Sequence, residues 1–244
     1  AGVPFLPAAY HDSDEPAFAL ALEAADLAVD AFDGKRNIDE GRKALQASFE
    51  AHGRKLSEIA KTLRVKFLGL DFSLAPFPDD SVSLGGAMEG FGVPKVGLHG
   101  SLAAAAILAE TIQKADFLHT GFNGMMMPVL EDSVLAKRAA EGTLTVKDLL
   151  LYSAVCGTGL DTIPLAGDVT REQVAALLLD VAALSVRLAA KPLTVRLMPI
   201  PGKQAGDKSE FDFAFFKNSK VMALDAVELG YPLNGDESIQ IISR

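Results

Sequence analysis

The amino-acid sequence predicts an α/β fold with a central, mostly parallel sheet, either open or closed into a barrel. Segments with apolar residues at helical spacing alternate along the chain with short apolar runs rich in β-branched and aromatic residues. No repeat of fixed period and no low-complexity linker interrupts the 244 residues. We therefore expect a single α/β domain, residues 1–244, with enough chain to bury a substantial core.

Two helices are predicted first. Residues 12–16, Asp-Ser-Asp-Glu-Pro, supply a cap, acidic residues and a proline for a helix that ends at Gly34. Asn37 or Asp39 then caps a longer helix that runs to about Leu63. Both segments have apolar residues on one side, so each should pack one face against the rest of the domain.

A buried strand, a long loop and an alanine-rich helix follow. Residues 65–73, VKFLGLDFS, form a short apolar run that ends in polar residues, which is typical of a buried strand. Residues 74–100 are rich in glycine, proline and acids, and a loop of this length is usually functional or mobile. Ser101 caps the helix of residues 101–115, whose alanines allow close packing.

The second half alternates extended segments with helices. Residues 121–133 include an extended segment broken at Pro128. Strands are predicted for LDTIPL, residues 160–165, and for residues 192–202. Helices are expected to begin at about Asp132, at Thr145 and, in a capping box, at Thr170.

Composition restricts the function classes. With 49% hydrophobic and 23% charged residues the chain is typical of a soluble globular protein, and its net charge of −9 argues against nucleic acid or an anionic membrane as a partner. No apolar run approaches the roughly 18 residues that span a bilayer, and the first residues lack the pattern of a signal peptide. We expect a cytoplasmic protein, with the stroma of a plastid or another organelle as the alternative.

Candidate site residues follow the predicted strands. In parallel sheets, sites form at the carboxyl ends of strands. Asp71 follows the strand of residues 65–73, and Glu89 lies in the loop after it. Glu131 follows the next extended segment, where it could act as an acid or base, while its neighbour Asp132 is better explained as a helix cap.

The third candidate is the loop around the only cysteine. Cys156 is either a nucleophile or a small, inert core residue, and the helix predicted in front of it disfavours a thiolate. Gly157, Thr158 and Gly159 could present backbone N–H groups to an anion, or simply form a tight turn. The spacing matches neither a phosphate loop nor a dinucleotide fingerprint. Asp161 follows as a candidate acid or base.

His11 lies beside three acids near the start of the chain. The acids are explained by the predicted helix start, whereas His11 is not, so it is a candidate acid, base or ligand. The segment lacks the helical histidine spacing of a zinc site and the oxygen pattern of a calcium loop. The metal status of the protein is therefore left open.

Several phrases resemble one family. FLPAAYHD, GFNGMMMPVLEDSVLAKR, YSAVCGTGLDTIPLAGD and KPLTVRLMPIPG are similar to sequences of the domain of unknown function 711 family, whose members are longer. The resemblance implies a carboxyl-terminal part of a longer protein and a sheet closed, or nearly closed, into a barrel of the pyruvate formate-lyase and anaerobic ribonucleotide reductase type, with helices outside. It also implies that Cys156 corresponds to the loop cysteine of those enzymes. No glycyl-radical segment is found near the carboxyl terminus, and the cofactor is left open.

Two hypotheses for the function remain. In the first, the protein is an enzyme that acts on a small polar molecule at the Cys-Gly-Thr-Gly loop. Cys156 would be the nucleophile or hydrogen-atom relay, Asp161 or Glu131 the acid or base, and the loop amides would hold an anionic group. In the second, the protein is a non-catalytic ligand-binding protein or an oligomeric scaffold. The expected partners are a small molecule and either further copies of the chain or an upstream part of the same protein.

Overall fold

The structure is a computed structural model that describes residues 14–35, 37–156, 158–188, 192–235 and 237–243, and of Cys156 only the backbone. Its strands are β1 (Ala17–Ala21), β2 (Lys66–Asp71), β3 (Gly159–Ala166) and β4 (Thr194–Ile200). Its α-helices are α1 (Ala25–Phe32), α2 (Ile38–Ala60), α3 (Leu84–Gly90), α4 (Ser101–Lys114), α5 (Ser133–Glu141), α6 (Val146–Cys156) and α7 (Arg171–Arg187). Short 3₁₀ helices cover Asp80–Val82 and Val129–Glu131.

The described strands form two small parallel sheets instead of a barrel. Among the strands of the described residues, β1 pairs with β2, and β3 pairs with β4. The α/β class is thus confirmed. The prediction of a sheet closed or nearly closed into a barrel of the pyruvate formate-lyase type is wrong, because two two-stranded sheets and no closed barrel are found in this part of the chain.

The segment that lies between the two sheets explains why they do not join into one continuous sheet. Residues 119–128 contact both sheets through single parallel bridges, Leu70 with His119, Leu74 with Met125 and Pro128 with Asp161. Regular strand pairing cannot continue between these bridges, because Asn123 has a φ of 47° and Pro128 has no N–H group. The sequence prediction of an extended segment broken at Pro128 is confirmed, but its pairing is too irregular to make one continuous sheet.

The first predicted helix is wrong in its first half. The structure begins there with β1, whose sequence Ala-Phe-Ala-Leu-Ala pairs in parallel with β2. The ring of Phe18 packs against that of Phe67 in β2, with centroids 5.1 Å apart. Pairing and burial against β2 therefore override the helix-start residues in front, and the helix begins later, at Ala25.

The second helix confirms its prediction. The Asn37 side chain caps α2 by accepting a hydrogen bond from the Glu40 amide at 2.9 Å. Leu45 and Phe49 are fully buried on one face of α2, and the Phe49 ring packs against Phe72 after β2 at 5.3 Å. α2 thus covers the sheet of β1 and β2, and it ends at Ala60, before the predicted Leu63.

The long loop is more ordered than the sequence suggests. It contains α3, where the Ser83 hydroxyl accepts a hydrogen bond from the Gly86 amide at 2.8 Å. Ser101 is the first residue of α4 instead of its cap, and its hydroxyl donates to the Leu98 carbonyl. Met125 and Met127 are buried in the core. None of the described helices is long and apolar enough to cross a membrane.

One buried carboxylate joins α3 to α5. Asp132 is fully buried and accepts hydrogen bonds from the Ser83 hydroxyl (2.6 Å) and from the amides of Gly85 (3.0 Å), Val134 (2.9 Å) and Leu135 (3.0 Å). Burial raises the pKa of Asp132, and these four donors oppose that rise. The predicted capping role is confirmed, and it extends to a second helix.

We predict that Asp132→Ala costs about 3 kcal/mol or more of unfolding free energy, because four donors lose their acceptor in a dry environment. Asn37→Ala, which removes an exposed cap, is the matched control and should cost only about 1 kcal/mol. Urea unfolding followed by circular dichroism measures both variants. Equal losses in the two variants would contradict the assigned role of Asp132.

Candidate functional site

Three charged side chains from separate segments form one cluster. The Nε of Arg196 in β4 donates to Oδ1 of Asp161 in β3, and its Nη2 donates to Oε1 of Glu131 at 2.8 Å. The side chains are 50% exposed for Arg196, 28% for Glu131 and 18% for Asp161. We call these three residues the Arg196 cluster. It brings together Glu131 and Asp161, two of the predicted site residues.

Local backbone irregularities place the two carboxylates near each other. The pairing of β3 with β4 shifts register between Leu160 and Ile163, so that a bulge holds Asp161 and Thr162. Pro128 makes a parallel bridge to Asp161, and the 3₁₀ helix that follows ends at Glu131. Thus the turn after Pro128 brings Glu131 back toward the bulge.

The charges of the cluster do not balance. Burial raises the pKa of Glu131, the charge and hydrogen bond of Arg196 oppose the rise, and the negative charges of Asp161 and Glu23 add to it. Burial disfavours the charge of Arg196, but Asp161 and Glu131 together raise the pKa of its guanidinium. Arg196 therefore stays positively charged, while Glu131 holds a proton at higher pH than a solvated glutamate.

Several polar atoms of the cluster remain open to a ligand. Within the described parts of the chain, Oε2 of Glu131, Oδ2 of Asp161 and Nη1 of Arg196 make no hydrogen bond. A hydroxyl or amine could donate to the carboxylate oxygens, and an acceptor could bind Nη1. No group of three or more His, Cys, Asp or Glu side chains suited to a metal ion occurs among the described residues.

Asp71, a predicted ligand-binding residue, is buried and serves the backbone. Its carboxylate accepts hydrogen bonds from the Ser73 amide (2.9 Å) and hydroxyl (2.6 Å), the Phe122 amide (2.7 Å) and the Asn123 amide (3.0 Å). These bonds tie the end of β2 to the irregular segment after α4. Asp71 lies outside the Arg196 cluster, and its ligand-binding role stays a prediction.

Glu89, the other predicted ligand-binding acid, lies in α3 and binds Arg138 of α5. The pair is bidentate, with Nε to Oε1 at 2.6 Å and Nη2 to Oε2 at 2.7 Å, and the Val96 amide also donates to Glu89. Glu141 contacts the same guanidinium. The hydrogen bonds that Arg138 donates to Glu89 help to raise the pKa of this buried guanidinium. Both oxygens of Glu89 are thus engaged in packing α3 on α5.

The cysteine loop leads into a strand instead of following one. Cys156 is the last residue of α6, and β3 begins at Gly159, so the loop lies at the amino end of β3 and not at the carboxyl end of a strand as expected. The Thr158 hydroxyl donates a hydrogen bond to the Met125 carbonyl. The backbone carbonyl of Thr158 accepts hydrogen bonds from the amide and the hydroxyl of Thr194. Thr158 therefore joins the central segment to β4.

Gly159 has a structural reason to be glycine. Its φ is 104°, and a Cβ atom there would overlap the backbone carbonyl of Thr194. The Cys156 side chain, Gly157 and His11 lie outside the described residues. The site roles of Cys156, Gly157, Thr158, Gly159 and His11 stay predictions.

Comparison with known proteins places the chain in a family. The family model described as "Uncharacterised ACR (DUF711)" matches residues 1–218. The chain belongs to this family. The sequence resemblance is thereby confirmed, whereas the barrel and the carboxyl-terminal position that it implied are not.

Relatives in the DUF711 family carry the name UPF0210 protein. The chain is 36% identical to the UPF0210 protein of Pyrobaculum arsenaticum over 217 residues, which cover 84% of this chain and 48% of the relative. It is 38% identical to that of Methanopyrus kandleri over 156 residues, 62% of this chain and 34% of the relative. The chain spans about half the length of the first relatives that it matches.

Sequence reasoning missed Arg196. The strand prediction for residues 192–202 was confirmed, and Arg196 is the only charged residue among those that form β4. A single charged residue within an apolar strand can be recognised in the sequence. Its partner Asp161 could not be, because that pairing depends on the parallel register of β3 and β4, which the sequence does not provide.

Replacing Glu131 should change the pH dependence of stability in this DUF711 protein. Because the folded-state pKa of Glu131 is raised, its ionisation costs stability as pH rises from the unfolded value near 4.5 through the folded value. We therefore expect the stability of Glu131→Gln to increase relative to that of wild type as the pH rises from 4 to 7. Urea unfolding at both pH values measures the difference.

Glu110→Gln provides a control of opposite sign. The hydrogen bond and charge of Lys114 lower the pKa of the exposed Glu110, so its stabilisation is present above the unfolded value and lost at lower pH. This variant should lose stability relative to wild type as pH rises over the same interval. A Glu131→Gln curve that follows the Glu110→Gln curve would contradict the raised pKa.

Proposed function

We propose that the protein is an enzyme that binds a small polar molecule at the Arg196 cluster, with Glu131 as the group that gives or takes a proton. One observation supports this proposal above the others. Glu131 and Asp161 direct their hydrogen-bonding atoms to a half-exposed guanidinium, not to the backbone. A partly desolvated acid with a raised pKa next to a cation, as Glu131 is, is suited to general acid–base chemistry.

The other predicted acids are less suitable. Asp71 is surrounded by backbone amides and one hydroxyl, and Glu89 is held on both oxygens by Arg138. A ligand at either residue would have to displace buried hydrogen bonds, each of which costs on the order of 1 kcal/mol or more to lose. At the Arg196 cluster a ligand can bind to atoms that make no bond among the described residues.

The charges indicate the chemistry of the ligand. Two carboxylates share one guanidinium, and Glu23 adds further negative charge near Glu131. A molecule with hydroxyl or amine donors fits the open carboxylate oxygens, and an acceptor group on the same molecule fits Arg196. In this proposal Cys156 stays the nucleophile or hydrogen-atom relay, and the amides of the Cys-Gly-Thr-Gly loop hold an anionic group. Gly159 of this loop lies in β3, two residues before Asp161.

A thermal-shift screen tests the binding proposal. Wild type, Asp161→Asn and Glu110→Gln are melted with a panel of amino acids, diamines and polyols. We expect at least one compound to raise the Tm of wild type and of Glu110→Gln by roughly 5 °C at saturating concentration, and to have little effect on Asp161→Asn. A Tm shift that persists in Asp161→Asn counts against the site. So does a wild-type Tm that no compound of the panel raises.

A second candidate function is assembly through an exposed aromatic surface. Phe77, Phe213 and Phe215 are each more than a third exposed, and Phe77 and Phe215 pack edge to face at 5.7 Å. Phe213 and Phe215 lie in a loop that the Asn218 side chain holds by hydrogen bonds to the N–H and C=O groups of Phe211. A rigid loop with exposed aromatic rings is suited to an interface, either with a second copy or with the additional half that the relatives carry.

Sedimentation velocity distinguishes assembly from a monomeric state. If the surface forms a homo-oligomer, the double variant Phe213→Ser/Phe215→Ser should weaken self-association at least about tenfold. Leu178→Ser removes a similarly exposed apolar side chain from α7 and should leave association unchanged. A monomeric wild type would exclude the homo-oligomer, and equal effects of both variants would exclude this surface.

A further inference from the structure

The backbone of Leu130 is held by a hydrogen bond at its N–H group and another at its C=O group. Its N–H donates to Oγ1 of Thr162 at 3.1 Å, and its carbonyl accepts from the Lys217 amide at 2.6 Å. Leu130 and Thr162 are both fully buried. Since Glu131 is the next residue, these two bonds fix the backbone from which its side chain reaches Arg196.

Thr162 adopts an unusual backbone conformation. Its φ is 44°, in the left-handed region that β-branched residues rarely enter, within the bulge of β3. Such a conformation costs on the order of 1–3 kcal/mol and persists where the surroundings require it. A glycine would avoid this strain but would provide no hydroxyl, and the Leu130 amide would then lose its acceptor.

We infer that Thr162 is a positioning residue, whose hydroxyl holds the Leu130–Glu131 backbone against β3 so that the carboxylates of Glu131 and Asp161 reach the same guanidinium. This role rests on the proposed function of the Arg196 cluster. The bulge places Asp161 and the hydroxyl of Thr162 on consecutive residues. One strand irregularity therefore sets both the position of Asp161 and the attachment of the segment that carries Glu131.

Loss of the Thr162 hydroxyl should change the ionisation of Glu131. The charged groups that act on Glu131 are Arg196, which lowers its pKa, and Asp161 and Glu23, which raise it. Without the Thr162 hydroxyl, the buried Leu130 amide must find another acceptor, so its segment must move. Glu131 then loses the contact with Arg196 that opposes the effect of burial, so its pKa should rise further while its side chain stays partly buried.

Carboxyl ¹³C NMR of glutamate-labelled protein tests this role without any ligand. The Glu131 resonance is assigned from its absence in Glu131→Gln. We expect Thr162→Val, which has the same shape without the hydroxyl, to raise the Glu131 pKa by about 1, and Thr162→Ser to retain the wild-type value. Thr111→Val is the control, because Thr111 is as well buried, in α4, but its hydroxyl bonds only the Ile107 carbonyl among the residues that the structure describes.

An unchanged Glu131 pKa in folded Thr162→Val overturns the inference, as does an equal change in Thr111→Val. Should Thr162→Val not fold, Thr162→Ala takes its place, since it creates no new contact at the bulge and must show the same rise. The result is independent of the ligand screen. A shifted Glu131 pKa together with an unsuccessful screen retains the positioning role and rejects the proposed binding function.

Discussion

The irregular backbone of residues 119–131, most of which is buried from Asn123 onward, imposes the constraint on which the rest of the molecule depends. This segment lies between β2 and β3 without forming a regular strand, yet the N–H and C=O groups of its buried residues must be hydrogen-bonded because they are shielded from water. Polar side chains supply many of these bonds. The Asp71 carboxylate accepts hydrogen bonds from two amides of the segment, and the Thr162 hydroxyl accepts one from the Leu130 amide. The Thr158 hydroxyl donates a hydrogen bond to the Met125 carbonyl.

The same constraint separates structural from functional polar residues. Side chains at a strand end or in a glycine-rich loop look functional in a sequence, but the nearby irregular backbone uses most of their hydrogen-bonding capacity. Asp71 and Thr158 are examples, because each bonds the central segment and is buried. Glu131 and Asp161 differ, since their bonded partner is the side chain of Arg196. Function is therefore best sought among charged groups that the backbone does not require.

Local signals allowed much of the helical structure to be predicted. The cap at Asn37, the capping box opened by Thr170 and the buried cap at Asp132 each depend on bonds within a few residues, and all three are present. β1 was mistaken for helix because its stability comes from pairing with β2, about 50 residues away in sequence. The barrel was expected from the family resemblance, and it could not be checked without knowing which strands pair. The Arg196 cluster was found only in part, since its cation depends on the register of β3 and β4.

The shared guanidinium explains why the pKa of Glu131 is raised although a cation lies beside it. One positive charge can compensate one of two carboxylates, and Asp161 bonds the inner nitrogen Nε, whereas Glu131 bonds the outer Nη2. The negative charge of Asp161 then acts on Glu131 together with burial, and the two effects outweigh Arg196. The cluster therefore has one unit of negative charge more than it can balance internally. A proton supplies that balance, and under the proposed function a positively charged group of the ligand would supply it at the same carboxylate.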